Sequence, residues 1–100
     1  QKLFDISSKS SGQCWSMTSY CPVPRVGPET PADRNYDGGF AAALMLKDLK
    51  LAMEAAKEAG AYTPMGGEAE ELYQRFVDRG GANKDFSGLI KMIDDSWVAE

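Results

Sequence analysis

The chain has 100 residues, of which 43% are hydrophobic and 26% are charged, and its formal net charge is -4. This length and composition predict one globular domain with a single core, which a partner domain or a second subunit could complete. The negative charge offers no basic field to nucleic-acid phosphates, so nucleic-acid binding is disfavoured.

Other function classes are disfavoured by what the sequence lacks. No apolar run approaches the roughly 20 residues that cross a bilayer, and the N-terminus lacks the cationic and apolar regions of a signal peptide. We therefore expect a soluble, intracellular protein with no membrane contact. Cys14 and Cys21 are expected to be reduced thiols. The chain has no histidine, so we expect no metal site, and acid–base chemistry would fall to Lys, Asp, Glu or Tyr.

The N-terminal part of the chain is expected to be largely irregular. Residues 2–8 are predicted to be the end of a helix, and Ser11 is expected to cap a short helical turn that reaches Trp15. Several prolines and glycines between residues 20 and 39 exclude a regular helix there. A connection of about 20 residues is usually functional or disordered. Its aromatic residues, Tyr20 and Tyr36, are expected to pack on something.

The strongest helix prediction covers residues 40–59, which are rich in helix-forming residues and are followed by Gly60. Apolar residues recur there at steps of three and four, which indicates a broad buried face. That face is expected to comprise Ala41, Met45, Leu49, Ala52, Ala56 and Ala59, widened by Leu44, Leu51 and Ala55. Its many alanines predict close approach to another helix.

Two more helices are predicted before the C-terminus. Thr63 and Pro64 begin the first, which is expected to run to residue 79 and to end at a pair of glycines. Its buried side is expected to comprise Met65, Ala69, Leu72, Tyr73 and Phe76. Asn83 is expected to cap the last helix, over residues 84–95. No segment alternates long enough for a strand, so the predicted fold is all-α, a compact helical bundle that forms one domain over residues 1–100.

Two adjacent charges interrupt the apolar helix. Asp48 lies one turn from Leu44 and Leu51, which places its carboxylate on the face expected to be buried. Lys47 lies about two turns after Phe40, at nearly the same angle. In a structural interpretation, Lys47 extends its stem over Phe40 to water, while Asp48 forms an ion pair or caps another helix. In a functional one, the pair belongs to a site.

Trp15 and Tyr20 flank the proline-rich segment and also allow two interpretations. Such aromatics often anchor a loop to the core. They could instead form the wall of a pocket for an apolar group of a small substrate, and their spacing does not decide between the two. The glycine pairs do not follow a strand, so neither is a nucleotide-binding turn. Without histidine, no Ser-His-Asp triad is possible.

Motifs along most of the chain are similar to those of one known family. They are Ser10-Ser11-Gly12-Gln13-Cys14-Trp15-Ser16, Tyr20, Pro22-Val23-Pro24, Asn35-Tyr36, Gly39-Phe40 and Leu44-x-x-Lys47-Asp48-Leu49-x-Leu51-Ala52, with weaker similarity at Pro64, Leu72-Tyr73, Gly80-Gly81 and Asp85-Phe86-Ser87. The set resembles the C-terminal domain of the 3-hydroxyisobutyrate dehydrogenases, in the β-hydroxyacid dehydrogenase family. The fold implied is the helical domain of 6-phosphogluconate dehydrogenase-like enzymes.

The resemblance implies a plan for the whole enzyme. An N-terminal Rossmann domain, absent from this chain, would hold NAD, and a linking helix upstream would carry the catalytic Lys, so no catalytic residue is expected here. By resemblance, Lys47 reaches the cofactor, whereas Trp15, Tyr20, Phe40 and Asp48 line the substrate cleft. The reaction implied is the NAD-dependent oxidation of 3-hydroxyisobutyrate to methylmalonate semialdehyde in valine breakdown.

The implied partners are the Rossmann domain, a small hydroxy acid and further copies of the same chain, in the bacterial cytoplasm or the mitochondrial matrix. Since the chain has no element able to bind NAD unaided, we expect it to be inactive alone. One alternative is another β-hydroxyacid dehydrogenase, such as a tartronate semialdehyde or glyoxylate reductase, against which Trp15 and the Pro-Val-Pro stretch argue. A second alternative is a non-catalytic interaction module that uses the alanine-rich face of residues 40–59.

Overall fold

The computed structural model of the chain describes residues 1–94, and its secondary structure is helical. The α-helices are Lys2–Ser7 (α1), Trp15–Ser19 (α2), Ala42–Ala59 (α3), Pro64–Phe76 (α4) and Leu89–Ile93 (α5), with 3-10 helices at Pro31–Arg34 and Phe86–Gly88 and a π-type turn at Val77–Gly81. In this part of the chain no strand is present, and one isolated bridge joins Ala41 to Asp85. The all-α prediction is confirmed. None of the helices in residues 1–94 is long and apolar enough to cross a bilayer.

Helix α3 begins and ends close to its predicted bounds. Hydrogen bonds to another segment support its first turn, and a glycine ends it. No side chain caps its first turn. Instead, the N–H groups of Ala42 and Ala43 donate to the carbonyls of Lys84 and Ala82, at 2.8 and 3.0 Å. At the other end Gly60 adopts the left-handed conformation, with φ 68°, which favours glycine.

The buried face of α3 is displaced from the one that the sequence predicted. Ala42, Leu46 and Ala56 are buried, and only Ala56 belongs to the predicted face. Leu44 and Leu51, which were expected to widen that face, are 50% and 55% exposed. The predicted widening was therefore wrong, as was the burial expected for Ala52, Ala55 and Ala59. Because nearly every turn of this helix carries apolar residues, periodicity alone could not determine which stripe faces the core.

Helix α4 packs against α3 through small residues and one ion pair. A Cβ atom built on Gly66 would lie 3.3 Å from Sδ of Met53, so the two helices approach closely there. The ammonium of Lys50 lies 3.4 Å from a carboxylate oxygen of Glu70. Helix α4 begins at Pro64, as predicted, but Met65 is 83% exposed and not on the buried side. The turn after Phe76 contains Gly80 at φ 98°, which ends the helical course.

The two predicted caps outside α3 and α4 were wrong. Asp85, not Asn83, caps the last helical stretch by accepting a hydrogen bond from the N–H of Ser87 at 3.0 Å. The predicted end of that stretch, residue 95, lies outside the described residues. At the N-terminal side α2 begins at Trp15, and Ser11 caps nothing.

The long proline-rich segment is ordered by its own hydrogen bonds. Thr30 and Asp33 form a reciprocal capping box at the 3-10 helix Pro31–Arg34. Tyr36 is buried, and its hydroxyl donates to the carbonyl of Pro22 at 2.8 Å. The expectation that the aromatic residues of this segment pack on something is therefore confirmed for Tyr36. The N–H of Asp85 donates to the carbonyl of Tyr36 at 2.7 Å, which holds the segment against the Asp85 turn, where the candidate site lies.

Candidate functional site

The carboxylate of Asp85 is the most buried charged group in the described chain and joins three distant segments. Its Oδ1 accepts hydrogen bonds from the Tyr20 hydroxyl, at 2.6 Å, and from the backbone N–H of Phe40, at 2.8 Å. Its Oδ2 accepts from both the backbone N–H and the hydroxyl of Ser87. Asp85 therefore ties the end of α2 to the start of α3.

Four aromatic rings form a continuous series around this carboxylate, and we name Trp15, Tyr20, Phe86 and Phe40 the aromatic wall. Trp15 stacks on Tyr20 with centroids 5.6 Å apart, and Tyr20 stacks on Phe86 at 5.4 Å. Phe40 meets Phe86 edge to face at 6.1 Å. Such offset and edge contacts are favourable aromatic geometries. Because Trp15 is 64% exposed and Phe40 is also exposed, the wall reaches the surface at both ends.

The phenol of Tyr20 is held in its neutral form. Burial, together with the hydrogen bond and the negative charge of Asp85, raises the pKa of Tyr20 to about 12. Its hydroxyl proton is donated to Asp85 in a hydrogen bond. At neutral pH, Tyr20 is therefore neither a general base nor a free hydrogen-bond donor, and what it offers a ligand is its ring.

An apolar groove of about 280 Å³ runs beside the aromatic wall. Its lining includes Ser16, Tyr20, Pro22, Phe86 and Ile90. A groove of this size, walled by aromatic and aliphatic groups, suits the apolar part of a small molecule or of another protein segment.

Lys47 and Asp48 lie on the exposed side of α3, about two turns beyond Phe40. In residues 1–94, neither side chain forms a hydrogen bond or an ion pair. The expected burial of the Asp48 face was wrong, because the neighbouring Leu44 and Leu51 are themselves half exposed. The structure thus brings together Trp15, Tyr20 and Phe40, and no hydrogen bond or ion pair joins Lys47 or Asp48 to them.

Sequence reasoning missed Asp85 and Phe86 as parts of the site. The available signal was Asp85 followed by Ser87, the spacing of a local side-chain cap. That spacing predicts a local turn, but it does not identify the distant residues that Asp85 binds. The bonds that matter join Asp85 to residues 45 and 65 positions away in sequence, which no local pattern reports.

A second concavity, of about 340 Å³, is lined by Arg79, which is exposed, and by Lys84 and Lys91, which already have partners in the chain. Lys84 donates to the carboxylate of Asp37 at 2.6 Å and to the backbone carbonyl of Asn35 at 3.1 Å. Lys91 donates to the side-chain oxygen of Asn35 at 3.3 Å and lies over the ring of Tyr36. These lysines therefore link residues 35–37 to residues 84–91.

The described residues could contribute one edge of a dinucleotide site. The exposed ammonium of Lys47, which has no carboxylate partner in residues 1–94, fits an anionic or ribose group. The pyrophosphate of NAD is usually held by a glycine-rich turn between a strand and a helix. Since this part of the chain has no strand, the rest of the cofactor would need residues from elsewhere.

Comparison with known proteins gives consistent matches. Residues 1–93 match the family model described as NAD-binding of NADP-dependent 3-hydroxyisobutyrate dehydrogenase. The probable mitochondrial 3-hydroxyisobutyrate dehydrogenase of Arabidopsis thaliana is 45% identical over 89 residues, which are 89% of this chain and 26% of that protein. The NAD-dependent L-serine dehydrogenase of Pseudomonas aeruginosa is 46% identical over 92 residues, which are 92% of this chain and 31% of that protein.

A solved structure shares the fold as well. It is that of Mycobacterium tuberculosis 3-hydroxyisobutyrate dehydrogenase with L-serine, which matches with a TM-score of 0.85 at 41% identity and covers 91% of this chain and 31% of that one. The chain therefore spans less than a third of the length of these relatives. The family resemblance drawn from the motifs is confirmed, and the chain belongs to the NAD-binding family of the 3-hydroxyisobutyrate dehydrogenases.

Proposed function

We propose that this chain is the C-terminal helical domain of an NAD-dependent 3-hydroxyisobutyrate dehydrogenase and closes over a small hydroxy acid. In this proposal residues 1–100 form one domain, of the 6-phosphogluconate dehydrogenase-like type. It works with a separate Rossmann domain, in a homo-oligomer. The observation that carries the proposal is the aromatic wall, which reaches the surface at Trp15 and at Phe40. Lys47 and Asp48 follow Phe40 by about two turns along the chain, and neither has a partner in residues 1–94.

The aromatic wall would recognise the substrate by its shape and apolar character. 3-Hydroxyisobutyrate carries a methyl group beside its carboxylate, and stacked rings provide an apolar surface for such a group. Closure of the wall also excludes water from the reacting carbon. NAD, when bound, accepts the hydride. No residue of this chain is proposed to take the hydroxyl proton, a role that we leave to a lysine of the linking helix.

Lys47 and Asp48 would act at the edge of the closed cleft. An ammonium that has no carboxylate partner in the described residues can offset the negative charge of a phosphate or carboxylate. Asp48, beside it, would hold that edge through a hydrogen bond to the facing domain. The product would be methylmalonate semialdehyde, formed in valine breakdown. The compartment would be the mitochondrial matrix, since two relatives have mitochondrial names, or the bacterial cytoplasm.

L-serine is a second candidate substrate. A relative 46% identical to this chain is named an L-serine dehydrogenase, and the structural neighbour is described with L-serine. L-serine shares the carboxylate and hydroxymethyl groups of 3-hydroxyisobutyrate but carries an ammonium in place of the methyl group. The exposed carboxylate of Asp48 could pair with that ammonium. The aromatic wall favours the methyl group, so we rank 3-hydroxyisobutyrate first.

The proposal is tested by NADH formation with both substrates, measured on this chain alone and on the full-length enzyme that contains it. We expect turnover from the full-length enzyme only, with the higher kcat/KM for 3-hydroxyisobutyrate. Lys47→Ala should lower kcat/KM at least about 10-fold, because a charge-assisted contact is lost.

Lys50→Ala is the matched control for Lys47→Ala. Lys50 lies one position before Leu51 on the same helix, but its ammonium already pairs with Glu70 at 3.4 Å. Lys50→Ala should therefore change kcat/KM by no more than about 2-fold, as expected for the loss of an exposed ion pair. Turnover by the chain alone, or equal effects of the two lysine variants, would contradict the proposal.

A further inference from the structure

We infer that Asp85 is a positioning residue that holds the aromatic wall in the shape that recognises the substrate, an inference that rests on the proposed function. Asp85 does not reach the surface. It would therefore act on the hydroxy acid only through Tyr20 and Phe40, whose groups it binds directly.

The chemistry of the site requires a carboxylate. Four donors converge on Asp85: the Tyr20 hydroxyl, the N–H of Phe40, and the N–H and hydroxyl of Ser87. A carboxylate accepts at both oxygens, whereas an amide offers one acceptor oxygen and would turn its own N–H groups towards Ser87. Asp85 forms no ion pair in residues 1–94, so these hydrogen bonds alone compensate its buried charge. A buried charge without a counter-ion is costly, so the stability of the site depends on these four hydrogen bonds.

The contacts of Asp85 fix two of the four rings of the aromatic wall. The bond to the hydroxyl prevents the Tyr20 ring from sliding between Trp15 and Phe86, on which it stacks at 5.6 and 5.4 Å. The bond to the backbone of Phe40 fixes that ring where α3 begins. One backbone hydrogen bond, from the N–H of Phe86 to the carbonyl of Phe40 at 2.7 Å, completes the junction. One carboxylate therefore sets the relative positions of segments that are far apart in sequence.

This geometry predicts which kinetic parameter depends on Asp85. The aromatic wall contacts the substrate in the proposed function, while the cofactor is held mainly by the other domain. Loosening the wall should raise KM for the hydroxy acid and leave KM for NAD unchanged. A purely structural role would lower thermal stability without separating the two KM values.

The test compares Asp85→Asn and Tyr20→Phe with Tyr36→Phe in the full-length enzyme. Tyr20→Phe keeps the ring but removes one bond to Asp85. Tyr36→Phe is the matched control, because it removes a buried tyrosine hydroxyl whose 2.8 Å bond goes to the backbone of Pro22. We expect KM for 3-hydroxyisobutyrate to rise about 5-fold in Tyr20→Phe, the effect of one hydrogen bond, and further in Asp85→Asn. Tyr36→Phe should leave it unchanged.

A second readout follows the aromatic wall itself. The chain has two tryptophans, Trp15 and Trp97, so in a Trp97→Phe background tryptophan fluorescence, excited at a wavelength that tyrosine does not absorb, reports on Trp15 alone. Because Trp15 stacks on Tyr20, this emission should change in Tyr20→Phe and in Asp85→Asn but not in Tyr36→Phe. These spectra are measured on this chain and need no enzyme activity, so they also serve if Asp85→Asn folds poorly in the full-length protein.

The outcomes separate this inference from the proposed function. Higher KM for the hydroxy acid and altered Trp15 spectra in Tyr20→Phe, with Tyr36→Phe unchanged, support a positioning role. Equal KM values in all variants, with only the melting temperature lowered, overturn it. If the unsubstituted full-length enzyme oxidises no hydroxy acid, the proposed function fails. The Trp15 spectra then decide whether Asp85 positions the aromatic wall, and spectra unchanged in Tyr20→Phe overturn the inference.

Discussion

Gly38 and Gly39 are adjacent residues with similar backbones and different surroundings. Both have positive φ, 79° and 68°, a conformation that a residue with a Cβ atom adopts only at a cost. A Cβ atom on Gly38 would meet nothing within 4 Å, whereas on Gly39 it would collide with the Asp85 carboxylate and lie 2.7 Å from the Tyr20 hydroxyl. The peptide before Phe40 can therefore approach Asp85 only because residue 39 is glycine.

This contrast predicts the effects of two alanine substitutions on stability. Gly38→Ala should lower the free energy of unfolding by about 1 kcal/mol, the cost of the left-handed conformation alone. Gly39→Ala should lower it by a further ~1–3 kcal/mol, because it also overpacks the Asp85 site. Urea denaturation followed by far-ultraviolet circular dichroism measures both values. Equal losses would show that the junction between Asp85 and residue 39 is looser than the structure indicates.

At the scale of elements, two glycines of the α3 and α4 pair have opposite effects: Gly60 is needed to end its helix, whereas Gly67 weakens its helix. Gly60 ends α3 in the left-handed conformation. Gly67 lies inside α4, where a Cβ atom would be in ordinary contact, 3.6 Å from the terminal methyl of Met53. A helical glycine adds flexibility to the unfolded chain that alanine would remove. Gly67 therefore weakens its helix without serving a turn.

We expect Gly67→Ala to raise the free energy of unfolding by ~0.5–1 kcal/mol. Gly60→Ala should lower it by about 1 kcal/mol, since alanine is strained at φ 68°. Thermal melts of the two variants against the parent chain test both signs. Destabilisation by Gly67→Ala would mean that Met53 cannot adjust and that the two helices need glycine there to approach each other.

At the scale of the whole molecule, three tyrosines tie separate parts of the fold together. Tyr20 bonds to Asp85, Tyr36 to the carbonyl of Pro22, and Tyr73 to the carbonyl of Phe86 at 3.0 Å. Burial is the main cause that raises the pKa of each to about 12. All three phenols are therefore retained in their neutral form in the folded chain at a pH where an unfolded chain would begin to lose their protons.

The stability of the chain should fall as pH rises from about 10 to about 12. In this range the unfolded state releases phenolic protons that the folded state keeps, so the free energy of unfolding declines, by on the order of 2 kcal/mol per tyrosine. Below pH 10 these groups contribute no pH dependence. Urea titrations at several alkaline pH values measure the slope, which should be shallower in Tyr73→Phe. An unchanged slope in that variant would count against the raised pKa of Tyr73.

The exposed stripe of α3 is the other feature of the whole molecule that bears on the proposed function. Leu44 and Leu51 are half exposed on either side of Lys47 and Asp48. The apolar periodicity that predicted a buried face is present in the sequence, but residues 1–94 do not cover it. In the proposed enzyme, a partner domain or a second copy would bury this stripe and so would account for the difference between the sequence pattern and the burial in this chain.

The sequence by itself determined the helical class, the bounds of α3 and the start of α4, because helix propensity, glycine and proline act locally. The family followed from the resemblance of its motifs. The sequence also offered Trp15, Tyr20, Phe40, Lys47 and Asp48 as candidate site residues. Only the tertiary structure decided that a buried Asp85 joins Tyr20 to Phe40, that Phe86 completes the aromatic wall, and which stripe of α3 is buried. Those features depend on contacts between residues far apart in sequence, and local periodicity carries no record of such contacts.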